Sequence, residues 1–106
     1  LGRHGEAIPM LQGTVQRRLV RAAAGPVDPG LARDVAFLYK TLAATYQRAG
    51  RKAEACSAWA QSLQRFDALQ QGGQLNPWDA DESLRQAQAG LAGCHDMQHK
   101  VAPAKR

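Results

Sequence analysis

The sequence predicts an all-α fold, and three observations support that prediction. Apolar residues recur at three- and four-residue steps through 31–48 and again through 52–71, which is the periodicity of helices with one buried face. Alanine and leucine are abundant and β-branched residues are scarce, so the composition favours helices. Glycines and prolines gather at 25–30, 72–77 and 90–93, where they separate helical segments, and no alternating strand pattern of useful length is present.

The centre of the chain, residues 31–71, is predicted to be an antiparallel helical hairpin. The buried face of its first helix, 31–48, is formed by residues at helical spacing: Ala32, Val35, Ala36, Tyr39, Leu42, Ala43 and Tyr46. Gly50 supplies the left-handed residue that commonly ends a helix. The buried face of the second helix, 52–71, is formed by Ala55, Cys56, Trp59, Ser62, Leu63 and Phe66. The short connection forces the two helices into contact and into opposite directions.

This hairpin resembles a tetratricopeptide repeat, which is a helix–turn–helix unit of about 34 residues. The resemblance depends on a Leu–small pair, an aromatic residue, a Gly turn, a Glu-Ala pair and a further large residue: Leu42-Ala43, Tyr46, Gly50, Glu54-Ala55 and Trp59. The sequence departs from the family at Phe66-Asp67, where a proline often closes the unit. The resemblance implies a fragment of an α-solenoid, a scaffold or adaptor that binds a protein or peptide without catalysis.

Residues 1–24 are predicted to be the second helix of a truncated repeat. Gly2-Arg3 and Glu6-Ala7 stand in the same spacing as the turn and Glu-Ala pair of the hairpin, and the distance between the two copies exceeds the usual period of about 34 residues. The excess falls in the Pro/Gly-rich link at 25–30. A longer period with such a link is similar to the kinesin-light-chain kind of tetratricopeptide repeat.

The helix in 1–24 is expected to lack a partner on its upstream side. Its apolar face is formed by Ala7, Leu11, Thr14, Val15, Leu19 and Val20. Because repeat units do not bury their faces alone, the chain is expected to be part of a longer array or to form a homo-oligomer through residues 5–23. Pro9 is compatible with this helix only in its first turn.

Residues 77–93 are predicted to form a capping helix. Asn76 is a suitable N-cap, and Pro77 suits the first helical position. Negative charge at the start suits the helix dipole and is supplied by Asp79, Asp81 and Glu82. The apolar face is formed by Ala80, Leu84, Ala87 and Leu91. Gly93 is expected to end the helix, and residues 94–106 are predicted to be a flexible tail.

The chain is basic, with a formal net charge of +5 from 14 Lys and Arg against 9 Asp and Glu. Such a balance suits an acidic partner. The only tight basic group is Arg17, Arg18 and Arg21, and no aromatic residues interleave with it to stack on bases. This group gives the alternative interpretation, a nucleic-acid-associated helical module. The resemblance gives another, a regulatory arm fused to a bacterial kinase or transcriptional regulator.

The two cysteines and the chain's hydropathy predict a cytoplasmic location. Cys56 and Cys94 do not make a disulfide framework of the secreted type, and Cys56 is expected to be a small buried apolar residue in a reducing compartment. The first residues lack a signal-peptide layout, and no run of about eighteen apolar residues is present, so no membrane partner is expected.

No combination of residues predicts catalysis, a cofactor or a metal ion. The one metal-like cluster, Cys94, His95, Asp96 and His99, lacks the Cys-x₂₋₄-Cys element of structural zinc sites and is read as part of a polar tail. His4 has Glu6 as its only nearby carboxylate and no nucleophile beside it.

The predicted binding surface is a helix face. In tetratricopeptide arrays the first helix of each repeat lines a concave groove, and the resemblance places five residues at the corresponding outward positions: Phe37, Lys40, Ala44, Gln47 and Arg48. Lys40 and Arg48 lie about two turns apart. Two cations so placed can hold acidic side chains or a C-terminal carboxylate.

Overall fold

The computed structural model describes residues 3–25 and 28–101, and over that part the chain forms helices without a strand. The helices are α1 (Arg3–Ala24), α2 (Pro29–Arg48), α3 (Lys52–Gln71) and α4 (Leu84–Val101), and a π-helical turn (Asp79–Ser83) leads directly into α4. α2 packs against both α1 and α3, and α3 also packs against α4. The predicted all-α class is confirmed. Within the described residues, no helix is long and apolar enough to cross a membrane.

The centre of the core lies between α2 and α3. Ala36 and Ala43 of α2 are fully buried, and their small side chains let the two helices approach closely around the fully buried ring of Phe66. The hydroxyl of Ser62 donates a hydrogen bond of 2.9 Å to the carbonyl of Ala36, so this buried polar group has a partner. The predicted inner faces of the hairpin are buried or half-buried throughout.

Helix α1 covers the other side of α2. Ile8 and Val15 are buried there, and the side-chain amide of Gln12 donates to the hydroxyl of Tyr46 near the end of α2. The two helices are therefore antiparallel, and much of the apolar face of α1 is already covered within the chain. Met10 and Val20 remain exposed, with relative accessible surfaces of 72% and 66% respectively.

Both α2 and α3 end in the same backbone motif. Gly50 has φ of 78°, a conformation that residues with a Cβ rarely adopt, and the next N–H, that of Arg51, donates to the carbonyl of Tyr46 at 2.9 Å. An equivalent bond of 2.9 Å closes α3 beyond Gly73, which has φ of 69°. This pair of turns confirms the helix ends predicted from Gly50 and from the glycines at 72–73.

Helix α2 begins at Pro29, earlier than the predicted start at residue 31. The carboxylate of Asp28 accepts hydrogen bonds from the backbone N–H groups of Gly30 at 2.9 Å and Leu31 at 3.4 Å. Asp28 is thus an N-cap, and Pro29 occupies the first helical position, where a missing N–H costs nothing. The link predicted at 25–30 therefore extends two residues too far, since Pro29 and Gly30 belong to α2.

Two other helix limits also differ from the prediction. Helix α1 begins at Arg3, which places Pro9 beyond its first turn. Helix α4 does not end at Gly93 but continues to Val101, because Gly93 keeps a helical backbone and Cys94 anchors the following turn to α3. The prediction of a tail from residue 94 is wrong for residues 94–101. Residues 102–106 of that tail, 26–27 of the link and 1–2 of the first turn lie outside the described residues.

The segment ahead of α4 is held by a buried carboxylate. The side chain of Asn76 accepts a hydrogen bond of 2.8 Å from the backbone N–H of Asp79, which confirms Asn76 as an N-cap. Asp79 itself is fully buried and accepts hydrogen bonds from Arg33 of α2, from Asn76 at 2.9 Å and from Ser83 at 3.2 Å. Asp79 was expected to serve only the helix dipole, but it links α2 to the start of α4.

The ion pair sets the protonation of Asp79. The hydrogen bond from the Arg33 guanidinium holds the pKa of the Asp79 carboxyl below its ordinary value, although burial acts in the opposite direction. The same bond raises the pKa of Arg33. A carboxyl group whose pKa is lower in the folded state stabilises the fold above its unfolded pKa. That stabilisation is lost as the pH falls through the folded pKa.

We therefore predict that Asp79→Asn lowers the free energy of unfolding by about 1–3 kcal/mol at neutral pH, since a charged hydrogen bond to a half-exposed arginine is lost. The wild-type advantage is expected to be constant above about pH 5 and to decrease progressively below about pH 4, as the pH approaches the lowered folded pKa of Asp79. Urea unfolding measured across pH 2.5–7, followed by circular dichroism, tests this. Asp81→Asn, which removes an exposed pair with Arg85 on the same turn, is the matched control and should change little. An advantage that is as large at pH 2.5 as at pH 7 contradicts the prediction.

Candidate functional site

The five residues predicted to line a groove occupy different environments. Phe37 is half-buried, and its ring packs edge-on against the ring of Phe66, with 5.3 Å between centroids and 85° between planes. The guanidinium of Arg33 and the ammonium of Lys40 lie 4.6 Å and 5.1 Å from the centre of the Phe37 ring. Phe37 is therefore the centre of a packed cluster and not an open contact residue.

Lys40 is also engaged within the chain. Its ammonium donates a hydrogen bond to the side-chain oxygen of Gln86 on α4. Partial burial lowers the pKa of Lys40, because it removes the ammonium group from water, and the carboxylates of Asp79 and Glu82 oppose this effect. Arg33 and Lys40 of α2 bind Asp79 and Gln86 on the α4 side. The ammonium group of Lys40, predicted to face a ligand, is therefore partly engaged within the chain.

The other three residues, Ala44, Gln47 and Arg48, lie in the last turns of α2. Ala44 is half-buried and packs against the core. Gln47 and Arg48 are exposed, and Gln47 borders a groove between the α2–α3 turn and α4. Only this end of the face is open, so Gln47 and Arg48 are the two members of the set that a partner can reach directly. Peptide binding by the five residues stays a prediction.

The groove beside Gln47, here called the Trp59 groove, has a volume of about 230 Å³. It is lined by Gln47 and Lys52 at the rim and by apolar or disulfide-bonded residues below them: Ala55, Cys56, Trp59, Ala89, Gly90, Gly93 and Cys94. Typical small-molecule pockets measure about 300–1,000 Å³. The Trp59 groove is therefore sized for one apolar side chain of a partner. Among its lining residues, only Lys52 carries an ionisable group that is not in a disulfide.

The bottom of the Trp59 groove depends on a glycine. A Cβ atom added at Gly90 would lie 2.4 Å from two ring atoms of Trp59, far inside van der Waals contact. The indole ring of Trp59 is 8% exposed and thus rests on bare backbone of α4. Sequence reasoning identified Gly90 only as a separator between helices, since nothing in the sequence pairs it with a tryptophan on another helix.

A disulfide between Cys56 and Cys94 joins α3 to α4 at the same groove. The Cα atoms are 5.7 Å apart, an ordinary distance for a disulfide. The prediction of a reduced Cys56 is therefore wrong, because Cys94 lies in helix α4 beside α3 and not in a flexible tail. Cys94 lies three residues beyond Leu91, so the apolar face of Leu84, Ala87 and Leu91 continues to it at helical spacing. That continuation was the signal in the sequence. The bond also removes Cys94 from the metal-like cluster.

We predict that Gly90→Ala destabilises the fold by about 1–3 kcal/mol, because the added methyl group displaces the Trp59 ring. Gly93→Ala is the matched control. It lies one turn further along α4 with no atom within 4 Å of an added Cβ, and is expected to stabilise the helix by about 0.5–1 kcal/mol. Urea unfolding of both variants under oxidising conditions measures the difference. Equal effects of the two substitutions would show that Trp59 does not rest on Gly90.

We further predict that reduction of the disulfide lowers the melting temperature by at least about 10 °C. The bond closes a chain segment with a sequence separation of 38, for which loop-closure entropy corresponds to about 2–4 kcal/mol. Thermal unfolding with and without dithiothreitol tests this, and the double variant Cys56→Ser/Cys94→Ser should melt at the same temperature in both buffers. Two titratable thiols in the purified, unreduced protein would contradict the pairing.

In comparisons with known proteins, no protein-family model, no curated protein and no solved structure matches the chain.

Proposed function

We propose that the chain is a segment of a tetratricopeptide-type helical array that binds a partner protein or peptide and has no catalytic role. The observation that carries this proposal is the burial of the repeat-like pattern at the helix contacts. Leu42, Ala43, Tyr46, Ala55 and Trp59 are all less than 9% exposed. Burial of these five positions is what a repeat of this type requires, and the other two positions of the pattern, Gly50 and Glu54, lie exposed at and just after the turn.

The order of packing supports the same proposal. α2 packs on the helix before it and the helix after it, and α3 packs on α2 and α4. Contacts between helices adjacent in sequence are the organisation of repeat arrays, in which each end keeps a face for a further unit. Met10 and Val20 on α1 are exposed in this arrangement and suit an upstream helix or a second copy, which is the predicted association through residues 5–23.

The open end of α2 and the Trp59 groove suit an anchored peptide. The groove holds one apolar side chain of the partner, while Lys52 and Arg48 beside the α2–α3 turn attract acidic residues flanking that anchor. An apolar anchor in a small pocket with a charged rim is a common arrangement at protein interfaces. Catalysis has no comparable support, because the groove holds no acid–base pair and no free nucleophile among its lining residues.

The disulfide bears on the cellular compartment of the chain. Cytoplasmic thiols are kept reduced, and disulfides persist mainly in oxidising environments. The Cys56–Cys94 bond therefore favours an oxidising compartment over the cytoplasm that the sequence predicted. A partner of the folded, oxidised chain is expected in that same compartment.

A peptide-display selection on the oxidised chain tests the proposed function. We predict enrichment of peptides with one large apolar residue next to acidic residues, and amide chemical-shift changes at Gln47, Arg48 and the lining of the Trp59 groove. Arg48→Glu should weaken such a peptide by roughly two- to fivefold, because it reverses one rim charge. Arg85→Glu, an exposed reversal on α4, is the control and should leave affinity unchanged. Failure to enrich any peptide that needs the folded chain contradicts the proposal.

A further inference from the structure

A second concave surface lies at the opposite end of α2, where the last turns of α1 approach the first turn of α2. Two adjoining cavities of about 400 and 450 Å³ share Arg18 and Arg21 as walls. Arg17 and Thr14 line one of them, and the first turn of α2 lines the other. These cavities, here called the arginine cleft, are larger than the Trp59 groove and mainly polar in their chemistry.

The arginines on the α1 side of the cleft have no carboxylate partner within the described part of the chain, although Asp28, Asp34 and the ion-paired Arg33 line its α2 side. The ion pairs among the described residues involve Arg33, Arg51 and Arg85, whereas Arg17, Arg18 and Arg21 contact no carboxylate. Arg17 donates only to the hydroxyl of Thr14, at 3.1 Å. The Nε–H group of Arg18 is buried and has no hydrogen-bond acceptor. The Nε–H group of Arg65 is in the same state elsewhere, so the cleft is distinguished by its arginines without carboxylate partners and not by this donor.

The geometry of the cleft favours carboxylates over a nucleic-acid backbone. Arg17 and Arg21 are one helical turn apart, and their guanidinium groups can each take a carboxylate in a two-bond fork. Asp28 and Asp34 stand on the α2 side of the same cavity and repel any anion, so the positive charge is confined to the α1 wall. A wall of three arginines within five residues suits a short run of acidic side chains better than a continuous row of phosphates. No aromatic residue lines either cavity to stack on a base.

We propose that the arginine cleft binds an acidic segment of a partner protein, rich in Asp or Glu. This inference rests on the proposed function and deepens it, since it names the partner's chemistry and a second contact surface. The cleft and the Trp59 groove lie at opposite ends of α2 and are separate contact surfaces. The exposed guanidinium groups of Arg17 and Arg21 then donate to carboxylates of the partner.

The test uses the oxidised, ¹⁵N-labelled full chain and a capped hexaglutamate peptide, with capped hexaglutamine as the neutral peptide. Hexaglutamate is expected to shift amide signals of residues 14–21 and 28–34, and to bind more weakly as salt is added. The double variant Arg17→Gln/Arg21→Gln changes two exposed side chains and is expected to lose about tenfold in affinity.

The matched control is Arg51→Gln/Arg85→Gln, which has the same net charge but removes two surface pairs elsewhere. Its affinity for hexaglutamate should stay within about twofold of the wild type. Equal losses in the two double variants would mean that only net charge matters, and would overturn the proposal. So would inorganic phosphate that displaces the peptide at equal concentration, or a twelve-nucleotide oligothymidylate that occupies the cleft more tightly at the same salt concentration.

The outcomes separate this inference from the proposed function. If hexaglutamate leaves the arginine cleft unshifted while selected peptides still bind at the Trp59 groove, the inference fails and the proposed function stands. If neither kind of peptide binds the folded chain, both fail. Binding of hexaglutamate at the arginine cleft, with loss in Arg17→Gln/Arg21→Gln and not in the control, supports both.

Discussion

The contact on which the rest of the structure depends is the packing of Trp59 on the bare backbone of Gly90. This contact sets how closely α4 approaches α3, since any side chain at Gly90 would meet the indole ring. The Cys56–Cys94 disulfide holds the same two helices beside it. The Arg33–Asp79 ion pair holds the other end of the α4 segment to α2. The α4 segment is therefore positioned at two points, by packing and a disulfide at one and by an ion pair at the other.

That arrangement explains which surfaces remain for a partner. Residues between the two attachment points, such as Phe37 and Lys40, are drawn into contacts among α2, α3 and α4. At the two ends of α2 concave surface stays open, beside α4 at one end and beside α1 at the other. One end carries an apolar groove with a thin basic rim, and the other carries three arginines without carboxylate partners in the described chain. An apolar contact is thus available to a ligand at one end of α2, and contacts with acidic groups are available at the other.

Local features of the fold could be predicted from the sequence, and contacts between distant residues could not. Helical periodicity predicted the buried faces of α2 and α3, and Gly50 and Asn76 predicted a helix end and a helix start, because each depends on neighbours within one or two turns. Asp79 and Gly90 depend on partners 46 and 31 residues away. The helix face that holds the five predicted site residues follows from the resemblance. Their exposure depends on where α4 packs, which local sequence does not show.

The disulfide has a mechanical consequence for any array that carries this segment under tension. A pull transmitted along the chain cannot extend the residues between Cys56 and Cys94 while the bond is intact, because their ends are covalently joined. With a sequence separation of 38, that segment withholds about 130 Å of contour length. Helices α1 and α2 can unravel under load, but the α3–α4 unit stays a closed loop. While the disulfide is intact, force can therefore extend α1 and α2 but not the residues between Cys56 and Cys94.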